Sequence, residues 1–244
     1  MNIEIGPNSK TRIKTTGGLL ADKANEALQA EYGLSMTNTE TVAVLAERLE
    51  DSKAKSLMED IQAATESVNE LRERISKDMT RNSIEKLHVF EQKSKSIVET
   101  THTKLDELAR HVMQQHKQAV DSLFTVKALL TPLEQSMLPK VADLLSQDES
   151  ELSVNNVTQS EAKLLLTVLE NYPSVVNPKQ YTREDIVGVK KDLNARFTPE
   201  AYGKFMVTSE LNKTIGNLVD EALQAKRKVL PSEILEQIKK TRVA

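Results

Sequence analysis

Histidine carries the most accessible proton chemistry in this sequence. His88, His102 and His116 recur at fourteen-residue steps, which on a helix sets them along one face. Such a stripe can sense pH or bind metal. Fourteen residues rise about 21 Å along a helix, so the three imidazoles cannot share one ion and read as a solvated face. Glu85-x-x-His88 and Glu99-x-x-His102 each match half of the carboxylate-bridged di-iron motif. That site needs its halves level with each other on different helices. Both halves here fall on one helical stretch, and chance occurrence in a Glu-rich segment accounts for them. His111 and His116 stand five apart, so the i,i+4 zinc geometry is missing.

Other chemistry is weaker still. Thr15-Thr-Gly-Gly18 is too short for a phosphate loop and lacks the Lys-Ser/Thr that follows one. Asp148, Glu149 and Glu151 have neither the ligand spacing nor the turn glycine of a calcium loop and read as a solvated linker. Ser, His and Asp are too common to define a triad by presence. With no cysteine there is no disulfide, thiolate metal site or cysteine nucleophile. The expectation is no catalytic residue, no metal and no cofactor.

Two stretches read as binding surfaces. Lys226, Arg227 and Lys228, then Lys239, Lys240 and Arg242, bracket Ile234, Leu235 and Ile238 behind Pro231. This is a short basic amphipathic helix, suited to an apolar groove with an acidic rim or to packing back on its own domain. Around Tyr181 to Phe197, Arg183, Lys190, Lys191 and Arg196 suggest a helix-turn-helix, but Glu184, Asp185 and Asp192 are interleaved.

The elements that carry these residues follow from one stretch. Leu34 to Thr131 holds no glycine and no proline, although the chain has seven of each elsewhere. It is dense in Glu, Lys, Ala, Leu, Gln and Arg, all strong helix formers. Within it Leu57, Ile61, Ala64, Val68, Leu71 and Ile75 form one 4-3 seam, and Ile84, Leu87 and Phe90 restart the pattern on a shifted face. Leu105, Val112, Ala119, Val126 and Leu133 then recur every seven residues, joined by Leu108, Leu123 and Leu130. A seven-residue repeat drifts around a 3.6-residue helix, and supercoiling on a partner absorbs the drift. The polar stretch Asp78 to Ser83 between the seams is either a stutter or the turn of an antiparallel hairpin. A hairpin loop favours Gly, Pro or several cap residues, so continuity is the expectation.

Composition agrees with a helical seam. The chain is 39% hydrophobic but only 3% aromatic, with no Trp and a net charge of −3, so neither a rich ligand pocket nor bulk attraction to a polyanion is implied. No apolar run approaches the ~18 residues of a membrane span, nothing resembling a signal peptide opens the chain, and a cytoplasmic protein, or one in a host cytoplasm, is expected. The predicted plan is all-α and elongated: one very long coiled-coil-forming helix, or a long helical hairpin, with a small C-terminal helical domain. Residues 1–18 form a flexible arm, where Ile3 and Ile5 alternate as in a lone strand. A short helix and turn (19–36), the long helix (37–131), and a bent helix with an acidic loop (132–156) follow. Val157-Thr158-Gln-Ser-Glu161 is a full capping box opening the helical domain (157–230), and the basic tail covers 231–244.

The function expected is non-enzymatic and architectural: a chain that forms a homo-oligomer, or lies along a larger protein assembly, through its long helix. Scaffolds for a phage or satellite capsid shell use such a plan, an analogy of architecture alone. The alternative is a DNA-associated regulator or partition-type protein with a coiled-coil dimeriser.

Overall fold

The computed structural model describes residues 2–4, 12–14, 16–123, 131–141, 157–171 and 182–229. The regular elements among the described residues are helices and two three-residue strands, β1 (Asn2–Glu4) and β2 (Arg12–Lys14), which pair antiparallel with Ile3 opposite Ile13. The alternation at the N-terminus therefore finds its partner within the arm. The chain divides into two compact units, one formed by 1–112 with 210–244 and the other by 113–209.

In the first unit α1 runs Thr16–Gln29 and α2 Met36–Arg48. Ser35 caps α2, its hydroxyl accepting from the Asn38 N–H. The helix then ends without glycine or proline. Glu50 takes a left-handed φ of 53°, while its N–H donates to the Glu47 carbonyl and the Asp51 N–H to that of Ala46. These are the two bonds of a Schellman stop, a position glycine usually fills because a side chain there costs about 1 kcal/mol. Asp51 immediately caps α3 (Ser52–Ser76), accepting from the Ala54 N–H at 3.0 Å.

A second interruption falls at residues 77–82, and α4 follows over Ser83–Asp121. The long-range pairs run in reverse order: Lys86 donates to the Ser76 carbonyl, Lys104 pairs with Asp60, Lys53 with Glu107 and His111 with Asp51. α3 and α4 are thus an antiparallel hairpin. The expected continuity through Asp78 to Ser83 is overturned, and the 37–131 helix is divided among α2, α3 and α4. The physical reason is burial. Val68, Ile75, Leu87 and Phe90 share one core with Ala24, Ala27, Leu28 and Tyr32 of the α1 region, which a straight rod would leave in water.

In the second unit α5 (Pro132–Ser136) is followed by a helical turn at 138–141, then α6 (Gln159–Asn171) and α7 (Arg183–Phe197). Thr158 and Glu161 make the reciprocal cap read from the sequence. α6 is buried continuously from Leu164 to Leu169, and these side chains form a core with Val141, Val157, Ala162 and Leu193. Six consecutive buried positions cover every side of a helix, so this stretch lies inside its domain. Thr198 alone separates α7 from α8 (Pro199–Val229), which runs unbroken through Gly203 and Gly216.

Candidate functional site

In the first unit several polar side chains bond to backbone groups far away in the chain, and they hold helices. Asn69 on α3 clamps the backbone of Tyr32 on both sides: its Nδ2 donates to the Tyr32 carbonyl at 2.8 Å, and its Oδ1 accepts from the Tyr32 N–H at 3.1 Å. One turn on, Arg72 donates to the Gln29 carbonyl and pairs with Glu31. Together they satisfy backbone groups where α1 ends, a place where carbonyls otherwise lack partners. Glu221 on α8 does the same for the start of α2, accepting from the Ser35 N–H at 2.8 Å and the Asn38 side-chain amide at 2.7 Å. A carboxylate at a helix N-terminus also complements the helix dipole.

Among the described residues Asp51 and His111 form the most enclosed carboxylate–imidazole contact. Asp51 is buried, and His111 Nε2 lies 2.9 and 3.1 Å from its two carboxylate oxygens. A carboxylate can only accept, so that nitrogen carries the proton and donates. Asp51 is also the α3 cap. The pair therefore fixes the α2–α3 joint against α4, and its carboxylate is doubly committed.

The seam residues from the sequence are placed as follows. Leu57, Ile61, Val68, Ile75, Leu105, Leu108, Val112 and Ala119 are buried within the chain, and Leu71 is partly buried against the first unit's core. Leu123 is half-buried, while Val126 and Leu130 lie outside the described residues. Leu133 leaves the heptad series altogether and is 73% exposed on α5. Three positions escaped the apolar reading: Ser94, Val98 and Thr101 are fully buried and complete the seam between Phe90 and Leu105. Ser94 and Thr101 donate to the carbonyls four residues back, Phe90 and Ile97, so each hydroxyl is satisfied on its own helix and presents an apolar flank. The available signal was that these positions continue the seam in steps of three or four residues from Leu87 to Leu108. Asn69 and Glu221 had no such signal, because their partners are distant backbone groups.

The histidine stripe is not one solvated face. His88 sits beside Glu91 and Gln92. His102 is half-buried with its Nε2 enclosed, and its pKa is lowered first by burial and then by the Lys226 ammonium, so the neutral form is favoured. In the second unit His116 stacks on Phe205 at 5.4 Å between centroids and lies 3.2 Å from the Thr208 hydroxyl, which itself donates to the Lys204 carbonyl. Tyr202 stacks on the same Phe205. Among the described residues no group of three or more His, Cys, Asp or Glu is arranged to hold a metal ion.

Of the basic docking residues, Lys226 is half-buried, and Arg227 and Lys228 are exposed in the last turn of α8. Ile234, Leu235, Ile238, Lys239, Lys240 and Arg242 lie outside the described residues, as does the acidic cluster at 148–151. On α7 the Arg196 guanidinium stacks over Phe197 at 4.6 Å. The one-residue joint at Thr198 is shorter than the three- to four-residue turn of a helix-turn-helix. No described helix is long and apolar enough to cross a membrane.

No protein-family model matches the chain, and comparison with curated proteins and with solved structures finds no significant match.

Proposed function

We propose that this chain is a non-enzymatic architectural protein that self-associates, or lies along a larger protein assembly, as a scaffold for a phage- or satellite-type shell would. The observation that supports the reading is the use of polar groups in the first unit. Asn69, Glu221, Asp51, His111, Ser94 and Thr101 each tie a helix to another segment or to its own backbone. A small-molecule site instead converges several polar groups on a concavity. With much of the seam covered inside the chain, attachment falls to exposed groups. The basic end of α8 and the amphipathic pattern after Pro231 suit an apolar groove with an acidic rim on the assembly.

Electron microscopy and sedimentation of material as isolated from the host test this. The chain is expected in particles many times its own 27.3 kDa, and deletion of residues 231–244 is expected to release it with helicity nearly intact. Free single-copy protein in the native extract would sink the proposal, and undiminished attachment of the truncated chain would remove the tail from it. Retention on DNA that falls steeply between low and moderate salt would favour the regulator instead.

A further inference from the structure

The turn joining α3 to α4 contains nothing that forbids a helix. Residues 77–82 include no glycine or proline, and none of them has a positive φ. Short-range polar bonds close it. Asp78 accepts from the Thr80 N–H and hydroxyl and pairs with Arg81, Asn82 and Glu85 cap each other, and Lys86 reaches the Ser76 carbonyl. Met79 at the tip is 93% exposed, so the turn has no apolar anchor there. The apolar contacts lie along the hairpin instead, with Val68, Ile75, Leu87 and Phe90 in the core, and the pairs Asp60–Lys104, Lys53–Glu107 and Asp51–His111 mark its register. None of them requires both partners to come from one chain.

We propose that residues 77–82 are a hinge, and that the partner of the α3 seam is a second copy of this chain. Two molecules open at the turn, each running α3 into α4 as one helix, and rebuild the same seam by exchanging halves. α1, α2 and α3 of one copy then pack on the α4 and α8 segments of the other copy's first unit. Opening replaces the local bonds of the turn with the ordinary helical ladder, and short hinges invite such exchange. The proposal rests on the self-associating reading above and names the surface it uses.

Because the protein has no cysteine, one chain carrying Asp60→Cys and another carrying Lys104→Cys can report the exchange. The two are mixed, unfolded, refolded together at high concentration, separated by size exclusion with light scattering, and treated with a short bis-maleimide. A dimer fraction cross-linked between chains is expected. Asp78→Ala with Asn82→Ala removes turn bonds and favours the helix. Asn82 is the cap of α4, and its loss weakens the closed form about fivefold per chain, so the dimerisation constant rises about 25-fold, with Asp78→Ala acting in the same direction. Met79→Gly with Thr80→Gly should lower it. Monomer mass under every condition would overturn both the exchange and self-association. A dimer with no 60–104 cross-link between chains would overturn the exchange alone.

Discussion

Replacing Tyr32 by Phe keeps the ring that anchors the end of α1 and removes a single oxygen from the first unit's core. The residue is fully buried, and its hydroxyl has no well-formed hydrogen bond among the described residues. Thr101, the polar side chain beside it, donates its own proton to the Ile97 carbonyl. A buried hydroxyl in that state costs about 1 kcal/mol or more, so Tyr32→Phe should stabilise the protein by about 1 kcal/mol at pH 7. Burial also pushes the phenol from 10.0 up to about 12, opposed by Thr101. A raised value means the folded state holds the proton more tightly than the unfolded chain does. Wild-type stability is therefore unaffected by this phenol below pH 10 and falls as the pH rises from 10 through 12. By pH 11 the loss is about 1.4 kcal/mol, and phenylalanine does not suffer it. Urea unfolding followed by circular dichroism at both pH values, with wild type and variant side by side, cancels the lysine titrations common to the two. The variant should lead by about 1 kcal/mol at pH 7 and about 2.4 kcal/mol at pH 11. A variant weaker than wild type at pH 7 would refute the unsatisfied hydroxyl, and a gap that stays constant to pH 11 would refute its desolvation.

Gly216 lies in the middle of α8, exposed, and a Cβ built there meets nothing within 4 Å. Gly216→Ala should therefore raise stability by about 1 kcal/mol in thermal unfolding, and a loss would mean that the space is filled in the working assembly. In the second unit Glu161 is held down to about 2 by the Lys140 ammonium first, then by the Thr158 backbone and hydroxyl. A depressed carboxylate stabilises above its unfolded value and ceases to do so as pH falls from 4.5 through 2. After allowance for solvent screening the effect is up to about 1 kcal/mol. Glu161→Gln should flatten the acid limb of the stability profile over that window, and an unchanged limb would remove the ion pair from the account.

The helical content could be read directly, because long stretches without Gly or Pro and rich in helix formers have few alternatives. The capping box at Thr158 and Glu161 could be read for the same reason, as its bonds join residues three apart. The joint at Glu50 could not, and the one at Asp78 to Ser83 could be read only as a hairpin turn set second to a continuous helix. Glu50 adopts a left-handed conformation that no local preference would assign to it, and residues 77–82 turn because the cores on either side meet. Tertiary burial overrode local sequence in both places. Ser94 and Thr101 look like gaps in the seam until their hydroxyls are seen bonded to the carbonyls behind them. Gly203 and Gly216 are poor helix formers, yet Leu211, Ile215 and Leu218 are buried along α8 and carry the helix through.

The Glu221 clasp has a consequence for the order of events at the ribosome. It joins Ser35 to a residue 186 positions later in the chain. At about 5–20 residues per second, translation leaves the start of α2 waiting about 10–40 s for its carboxylate. During that interval the nascent N-terminal helices present an incomplete core to whatever is nearby, and on a polysome the nearest molecules are sister chains at the same stage. The first unit is finished late, by its last helix, so the spacing of ribosomes on the message bears on whether a chain closes on itself or on its neighbour.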